Sequence, residues 1–300
     1  MLRVEKKFSN QARALRSAFD ERFAEPRSTA RSRFVWDYWH IPGQYTALRT
    51  PAQEFFPEKV FQLFLDELLD FGRQHLGCVA ISPPWLSLYV EGCEQQLHAD
   101  VPHGPFAFVY SLTPWEKRRF TGGETFLLRP RALDYWGAFG DQLGEPVERG
   151  QLIEEVPASF NQLLVFDPRI PHGVKQVRGV QEPREGRLVI HGWFTEPRPY
   201  IEGPLSVTKV SRRMDELLEQ LSQWVEVGGD CHGLLVLDIE IAPNGTVSRV
   251  KKKTDTRIYL GRDLDLAKHD SEMLRLVRKI QFPKSSKGSS TLTIPLVFGK

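Results

Sequence analysis

The chain has 300 residues, and its charge is nearly balanced, with 40 Lys and Arg against 38 Asp and Glu and a formal net charge of +2. This balance gives no electrostatic reason to expect a nucleic acid or a membrane as a partner, and we expect neither. A hydrophobic fraction of 41% with 11% aromatic residues excludes a disordered chain and leaves room for one large domain or two ordinary ones.

Cysteine usage and the amino terminus indicate the compartment. Cys78, Cys93 and Cys231 are odd in number and far apart, without a CxxC pair, so we expect neither a disulfide framework nor a structural zinc knuckle. No apolar run approaches the ~18 residues of a membrane-spanning helix, and residues 1–7 do not resemble a signal peptide. We therefore expect a soluble, cytoplasmic protein with reduced cysteines.

Helices are predicted in the first quarter of the chain. Residues 4–25 place apolar side chains at helical spacing among many charges, and residues 58–75 show a clearer amphipathic pattern. Between them, residues 34–40 concentrate aromatic side chains before the turn signal Pro42-Gly43. Such density is typical of a core or a covering flap, and a direct contact with substrate is the less favoured alternative.

From residue 80 the pattern changes to short apolar strands separated by Gly and Pro. An irregular, mostly acidic stretch over 129–158 is too long for an ordinary connection, so it is either functional or contains elements that the pattern does not reveal. Many short strands with helices outside them predict a mainly β domain, an antiparallel barrel or sandwich, over residues 1–200. The strands are predicted at residues 85–90, 106–112, 124–128, 162–166, 173–177 and 187–194.

A second domain is predicted over residues 201–300, after a linker stiffened by three prolines. Its centre is a hairpin around the turn signal Pro243-Asn244-Gly245. About a hundred residues are enough for an independent, small α+β domain. The predicted elements are helices at 210–225 and 264–280 and strands at 234–241, 246–252 and 291–298.

Two histidines and one carboxylate in the β-rich region form a candidate metal-binding and catalytic set. His98 and Asp100 are two residues apart, so on a strand both would point to the same side. His172, from a distant strand, would complete the ligand set of non-haem Fe(II) oxygenases. A lone histidine is weak evidence because the chain has eight, and the prediction depends on the order of the strands around all three residues. His103 is a less favoured competing ligand because Pro102 and Gly104 place it in a turn.

A basic residue follows at a defined position. Arg187 comes fifteen residues after His172 on a predicted strand, and its planar guanidinium is suited to binding a carboxylate. His191 and Trp193 face the same side of that strand as Arg187, so they are candidate cavity residues. For His191, an ordinary packed barrel residue is an equally favoured alternative.

Several motifs follow one another in a fixed order between residues 80 and 196. They are Tyr89-Val90-Glu91-Gly92, His98-Ala99-Asp100, Gly122-Gly123-Glu124-Thr125, Phe166-Asp167-Pro168-Arg169 with His172, and Arg187 with Gly192-Trp193-Phe194. This ordered set resembles the 2-oxoglutarate/Fe(II)-dependent dioxygenases of the prolyl 4-hydroxylase type. The resemblance implies a double-stranded β-helix, or jelly roll, in which His98, Asp100 and His172 bind the iron. It also implies that Arg187 clamps the distal carboxylate of 2-oxoglutarate and that Tyr89 lies beside this cosubstrate.

The same resemblance implies the reaction. An enzyme of this type uses O2 and 2-oxoglutarate to hydroxylate its substrate through a ferryl intermediate, and ascorbate is an optional accessory cofactor. The presence of Asp100 argues against the halogenating relatives, which lack that carboxylate. Ser111 departs from the pattern, since many relatives have a tyrosine there that contacts 2-oxoglutarate.

Three readings of the substrate and activity stay open. The first is hydroxylation of a protein or peptide side chain, with proline as one candidate residue. The second is hydroxylation of a free amino acid or a small metabolite. The third, from another class, is a barrel that binds or senses without turnover, and the intact ligand set with Arg187 argues against it.

The second predicted domain has its own motifs. These are Gly233–Ile241, Asn244–Val247, Ile280–Pro283 and Ile294–Phe298. Residues 205–300 thereby resemble the TonB C-terminal-type domain, a small α+β module used for protein contacts. The resemblance implies that this domain contacts a protein partner and helps to select the substrate. A dimerisation or stability module is the alternative.

Overall fold

The computed structural model describes most of the chain as two compact units. The first comprises Met1–Leu68 and Ile81–Thr195, and the second comprises Leu69–Ala80 and Glu196–Lys300. The division into domains 1–200 and 201–300 stays a prediction, and Leu69–Ala80 is the segment on which it differs from the compact units. The described residues are 2–24, 36–100, 103–129, 132, 148–226, 231–259 and 266–299.

Strands dominate the chain up to Pro197. They are β1 (Leu2–Lys6), β2 (Asp37–Ile41), β3 (Tyr45–Pro51), β4 (Cys78–Ile81), β5 (Trp85–Tyr89), β6 (Glu94–His98), β7 (Phe106–Ser111), β8 (Thr125–Leu128), β9 (Ile153–Val156), β10 (Gln162–Phe166), β11 (His172–Val174) and β12 (Arg187–Pro197). The helices of this part are α1 (Ala12–Ala24), α2 (Ala52–Phe55), α3 (Glu58–Phe71) and α4 (Arg149–Leu152).

The strands of the first unit form one large, curled antiparallel sheet. One row has the order β10-β7-β12-β5 and another has the order β6-β11-β8-β9, while β3 pairs with both β5 and β6 and joins the rows. Consecutive strands from β5 to β12 mostly alternate between the two rows, which is a jelly-roll-like order. The predicted mainly β architecture with helices is therefore confirmed. Its consequence for function is that β12 pairs with β5 and β11 pairs with β6, although the members of each pair are far apart in sequence.

Helix α3 shows why the helical prediction for this region succeeded. Phe61, Phe64 and Leu68 recur at helical spacing and are almost fully buried. Burial of each such side chain contributes roughly 1.5–3 kcal/mol relative to exposure. The Phe64 ring lies 4.6 Å from the ring of Tyr110 on β7, so the apolar stripe of the helix packs on the sheet. The helix continues as a π-helical turn over Gly72–Leu76.

The prediction of one helix over residues 4–25 was wrong at its start. Residues 2–6 form strand β1, which pairs antiparallel with β10, and α1 begins only at Ala12. The Ser9 hydroxyl accepts a hydrogen bond from the Gln11 backbone N–H at 2.9 Å, just before the helix. Pairing with β10 at the sheet edge therefore determines the conformation of residues 2–6, and the helical spacing of apolar residues corresponds to a helix only after Ser9.

Two further differences concern elements that the sequence pattern did not reveal. Strands β2 and β3 were not predicted, and the irregular stretch at 129–158 contains α4 and β9. Most of that stretch, residues 130–131 and 133–147, lies outside the described residues, as do residues 34–35 of the aromatic segment.

The second unit is a small α+β arrangement. Gly245, with φ of 86°, closes the predicted hairpin, and the Asn244 side chain accepts a hydrogen bond from the Thr246 backbone N–H. The strands pair in the order β13-β17-β14-β15, and β16 also pairs with β14. Its elements are β13 (Tyr200–Glu202), α5 (Val207–Glu226), β14 (Cys231–Ile241), β15 (Val247–Asp255), β16 (Ile258–Tyr259), α6 (Leu266–Arg278) and β17 (Ser290–Phe298).

Residues 69–80 complete this second unit. The Thr254 hydroxyl donates a hydrogen bond to the His75 carbonyl at 2.7 Å, and Gly77 lies directly against the Val236 side chain. Resemblance to the TonB C-terminal-type domain stays a prediction. Within the described part of the chain, none of the helices combines the length and the apolar character needed to cross a bilayer.

Candidate metal centre

His98, Asp100 and His172 converge on one point in the first unit. Nε2 of His98 lies 3.6 Å from Oδ1 of Asp100, and Nε2 of His172 lies 3.6 Å from Oδ2 of the same carboxylate. The ligand atoms of the three residues all lie within 4.8 Å of one another. A separation of 3.6 Å is too long for a hydrogen bond. Two atoms that are each about 2.1 Å from a shared ion lie roughly 3 to 4 Å apart, so the spacing suits a metal.

The second nitrogen of each ring fixes the form of the imidazole. Nδ1 of His98 is 2.8 Å from the Gln96 carbonyl oxygen, and Nδ1 of His172 is 2.8 Å from the Ile170 carbonyl oxygen. Because a carbonyl oxygen only accepts, Nδ1 carries the hydrogen in each case, and Nε2 of the neutral ring is an unprotonated donor of an electron pair. This arrangement is usual for metal-binding histidines, whose other ring N–H is held by an oxygen.

Local structure places these residues. His98 ends β6 and His172 begins β11, and the two are directly opposed Cα partners of the antiparallel pair. Asp100 lies just beyond β6, where its backbone N–H donates to the Pro168 carbonyl at 2.9 Å. The turn that contains Pro168 is stabilised by the buried Asp167 carboxylate, which accepts hydrogen bonds from both the backbone and the guanidinium of Arg169. One turn therefore positions the carboxylate of the candidate site.

A glycine after His172 allows the strands to meet there. A Cβ at Gly173 would lie 2.5 Å from the Gln95 carbonyl oxygen and 2.5 Å from Cζ of Phe126. Any larger residue at this position would separate β11 from its neighbours β6 and β8. Because His172 is the preceding residue, that separation would also move the imidazole.

The electrostatics favour an ionised Asp100. Burial by itself would raise the pKa of this carboxyl, but the imidazoles of His172, His98 and His103 lower it by more. The net pKa of Asp100 is below its ordinary value. Asp100 is therefore a carboxylate at neutral pH and can act as an anionic ligand.

A buried cation, Arg187, lies in the same cavity. The residue is only 1% exposed, its guanidinium stacks 4.5 Å from the centre of the Tyr89 ring, and one Nη donates to the Thr125 hydroxyl at 3.1 Å. Nε and the other Nη are buried without a hydrogen-bond partner. Burial lowers the pKa of Arg187, opposed by Tyr89 and Glu124, yet a guanidinium keeps its charge in proteins. A buried charge with two unpaired donors is suited to a carboxylate ligand.

The cavity has a volume of about 790 Å³, within the range typical of small-molecule sites. Its wall includes the candidate metal residues together with alternate residues of several strands. Because strand side chains alternate, Tyr89 of β5 and Arg187, Val189 and His191 of β12 face the cavity side by side. Tyr89 is buried, which raises the pKa of its phenol, while Arg187 opposes that rise.

The remaining predicted residues have separate positions. His191 lines the cavity, and its Nε2 forms a 2.8 Å hydrogen bond with the Ser87 hydroxyl; burial and the nearby Arg187 and Arg49 lower its pKa to about 4. Trp193 also lines the cavity, and its ring stacks on His103 at 4.5 Å. The group of metal-type ligands found in the described residues does not include His103.

Ser111, which stands where many relatives have a tyrosine, has a structural role outside the cavity. Its hydroxyl donates to the Ala158 carbonyl at 2.6 Å and accepts from the Thr113 backbone N–H, and the residue does not line the cavity. Thr125, which belongs to the quoted Gly-Gly-Glu-Thr motif, contacts Arg187 instead. Sequence reasoning did not single out Thr125, although its position after two glycines was the available signal.

Sequence reasoning also missed a second cationic region of the cavity. Arg49 lies with its guanidinium 3.2 Å from the centre of the Trp39 ring and 4.2 Å from the centre of the Trp85 ring, and all three residues line the cavity. The alternation of Tyr45, Ala47 and Arg49 was the only local signal for this strand.

Solved structures similar to the chain include prolyl hydroxylases and enzymes described as α-ketoglutarate dependent. A Pseudomonas putida prolyl-4-hydroxylase is 17% identical, with 65% of this chain and 92% of that chain covered and a TM-score of 0.42. A Trichoplax adhaerens prolyl hydroxylase in complex with a hypoxia inducible factor oxygen degradation domain peptide is 14% identical, with coverage of 65% and 83% and a TM-score of 0.39. HygX from Streptomyces hygroscopicus, with nickel, 2-oxoglutarate and hygromycin B bound, is 13% identical, with coverage of 64% and 81% and a TM-score of 0.39. The sequence matches no protein-family model and no curated protein.

Proposed function

We propose that the chain is a 2-oxoglutarate- and O2-dependent hydroxylase with one Fe(II) bound by His98, Asp100 and His172. The observation that carries the proposal is a two-histidine, one-carboxylate group in the same cavity as a buried, partly unpaired Arg187. Two histidines and one carboxylate with open positions are the ligand set of non-haem Fe(II) oxygenases. The strand order described above is consistent with the double-stranded β-helix that this function implies.

The donor set fits a ferrous ion. Two neutral imidazoles offer Nε2, and one carboxylate reduces the charge of a divalent ion without cancelling it. The Gln96 and Ile170 carbonyls hold both rings in the tautomer that a metal requires. When bound, iron would supply the activation of O2, which no side chain performs.

Arg187 would bind the distal carboxylate of 2-oxoglutarate. Its Nε and one Nη are buried without a partner and are available to carboxylate oxygens, while the Thr125 hydroxyl accepts a hydrogen bond from the other Nη and holds it in place. The ring face of Tyr89 stacks against the guanidinium and helps to hold it in position. In this role Arg187 orients the cosubstrate relative to the three ligands and excludes water from its own end of the cavity.

The neutral His191 and the stacked Trp193 would shape the rest of the wall. Because the pKa of His191 is lowered to about 4, its ring carries no charge at neutral pH and adds no further cation beside Arg187. Because Nε2 of His191 is bonded to the Ser87 hydroxyl, Nδ1 is the ring nitrogen available for a hydrogen bond with a bound organic acid.

For the substrate, we propose a protein or peptide side chain, with proline as a candidate, on the basis of the motif resemblance. The second unit would contact the protein partner in its TonB C-terminal-like role. Hydroxylation of a free amino acid or small metabolite is the second candidate, because a cavity of about 790 Å³ can enclose a small molecule together with 2-oxoglutarate.

The decisive experiment measures succinate release by the full-length protein. Protein purified without metal is supplied with Fe(II), 2-oxoglutarate and O2, and each component is then left out in turn. The proposal requires succinate release that depends on all three components. Slow release is expected even when no substrate is supplied, and it should show the same dependence. No succinate from a protein that binds Fe(II) and 2-oxoglutarate would instead support a barrel that binds or senses.

A further inference from the structure

A second guanidinium in the cavity has a different environment from Arg187. Arg49 of β3 stacks between the indole rings of Trp39 on β2 and Trp85 on β5, at 3.2 Å and 4.2 Å from the ring centres. Stacking on two indoles fixes the plane of a guanidinium while it leaves the N–H edges free. Arg49 is therefore a rigid, directed cation on the cavity wall.

Strand register places this cation in a row of residues that lines the same cavity as Arg187. Arg49 is the Cα partner of Ser87, and Tyr89, two positions further along β5, is the partner of Arg187. Side chains two residues apart on a strand share a face. Arg49, Ser87, Tyr89 and Arg187 therefore look into the same cavity, and all four line it.

Among the described residues, no carboxylate forms an ion pair with Arg49, although Asp37, its Cα partner on β2, interacts with it at longer range and raises its pKa. Of the described residues that line the cavity, Asp100 is the one acidic residue, and the proposed function assigns it to the metal. The buried Nε of Arg49 has no hydrogen-bond partner. Partial burial lowers the pKa of Arg49, but the guanidinium stays charged. The cavity thus contains one more cation than the metal and cosubstrate sites require.

We propose that Arg49 binds a carboxylate of the molecule that is hydroxylated, so that the substrate is acidic. The assignment rests on the proposed function, because 2-oxoglutarate on Arg187 is what leaves Arg49 for the substrate. A carboxylate is favoured over a phosphate because one planar guanidinium matches two carboxylate oxygens and their single charge. Trp39 and Trp85 hold the guanidinium and give the substrate an apolar surface beside the anion.

The carboxylate can belong to a small acid or to an acidic side chain of a peptide, and matched probes separate these sources. One pair is N-acetylproline and N-acetylprolinamide, and the other is a short prolyl peptide that contains either one aspartate or one asparagine. Binding to the full-length protein, with Ni(II) and saturating 2-oxoglutarate, is measured by calorimetry and by the fluorescence of the cavity tryptophans. No turnover is needed for this measurement.

The variants are Arg49→Gln, Arg49→Lys and the control Arg118→Gln. Arg118 also stacks on an indole, 4.0 Å from the centre of the Trp115 ring, but it does not line the cavity. We expect the acidic member of at least one pair to bind about tenfold more tightly than its neutral partner, a difference of about 1.4 kcal/mol. We expect Arg49→Gln to remove this preference, Arg49→Lys to keep part of it, and Arg118→Gln to leave it unchanged.

Three results would overturn the assignment. They are equal binding of acidic and neutral probes, including no binding of either; a preference that survives Arg49→Gln; and a loss of 2-oxoglutarate binding in Arg49→Gln but not in Arg187→Met. An acidic preference that depends on Arg49 in a protein that forms no succinate would support the carboxylate site and refute the hydroxylase. The two proposals can therefore fail separately.

Discussion

His98 and His172 are directly opposed across the antiparallel pair of β6 and β11, with ring centres 4.4 Å apart. The residues are distant in sequence, yet the strand register alone brings both imidazoles to one point. Asp100 lies only two residues beyond His98, the last residue of β6, so its carboxylate is close to both imidazoles. The candidate site is thus fixed by backbone pairing more than by flexible loops.

Removal of one imidazole tests the ligand set. We expect His172→Ala to weaken Fe(II) binding by more than about 100-fold, since loss of an outer-shell partner alone typically costs about 10- to 100-fold. Anaerobic titration with Fe(II) measures this change. His103→Ala is the matched control because His103 lies near Asp100 but outside the three-residue group. Equal losses in both variants would mean that the ligand set is wrong.

Replacement of Arg187 has opposite consequences for stability and for cosubstrate binding. In Arg187→Met, two buried donors without partners are removed, so we expect the metal-free protein to gain about 1–3 kcal/mol in the free energy of unfolding. That gain corresponds to a rise in Tm of roughly 2–4 °C per kcal/mol. The further rise in Tm that 2-oxoglutarate gives the wild type should disappear, while Fe(II) affinity stays nearly intact. Thermal scans with and without 2-oxoglutarate test this, and an unchanged ligand response would remove Arg187 from the site.

The glycine after His172 can be tested through packing. Gly173→Ala would place a Cβ 2.5 Å from a backbone oxygen and from the Phe126 ring, so we expect a loss of roughly 1–3 kcal/mol of stability and weaker Fe(II) binding. Gly150→Ala is the control because a Cβ there has no neighbour within 4 Å. Denaturant unfolding measures the first effect and metal titration the second. A Gly173→Ala protein with normal metal affinity would show that strand separation does not reach His172.

The pKa of His191 predicts a pH dependence of the metal-free protein. The folded pKa is lowered from 6.5 to about 4, so the folded state favours the neutral ring. The stability that this provides is complete above pH 6.5 and is lost as pH falls from 6.5 towards 4, because the unfolded state binds the proton more readily. Tm measured across this range should fall less steeply in His191→Asn than in the wild type. His40→Asn, at an exposed position, should follow the wild type, and a parallel fall in all three proteins would contradict the prediction.

Predictions from the sequence were most accurate where a motif lies on or beside a predicted strand. His98, Asp100 and His172 were predicted from local spacing and strand order, and the structure brings them together. The N-terminal strand β1 was missed because its partner, β10, is about 160 residues away and overrides a local helical spacing. Strand β3 was also missed, although it forms a local hairpin with β2 in addition to its pairings with β5 and β6.

The role proposed for Arg49 could not be predicted from any local sequence pattern. Its significance depends on Trp39 and Trp85, which reach it through two different strand pairings, and on the lack of an acidic neighbour in the cavity. Spacing can predict which face of a strand a residue occupies, but the balance of charge in a cavity follows only from the assembled sheet. Ser111 differs in the opposite way: its hydroxyl forms hydrogen bonds with backbone groups of Ala158 and Thr113, and the residue does not line the cavity.

The assignment of Leu69–Ala80 to the second unit has a consequence for synthesis on the ribosome. This short segment is synthesised well before β14 and β15. In the folded unit, Gly77 packs against Val236 of β14, and the His75 carbonyl accepts a hydrogen bond from Thr254 of β15. Until the carboxyl-terminal third is translated, His75 and Gly77 lack these contacts with Thr254 and Val236. The amino-terminal part of the chain must therefore carry an incompletely packed segment through much of translation, and fragments that stop near residue 200 would leave His75 and Gly77 without their contacts in β14 and β15.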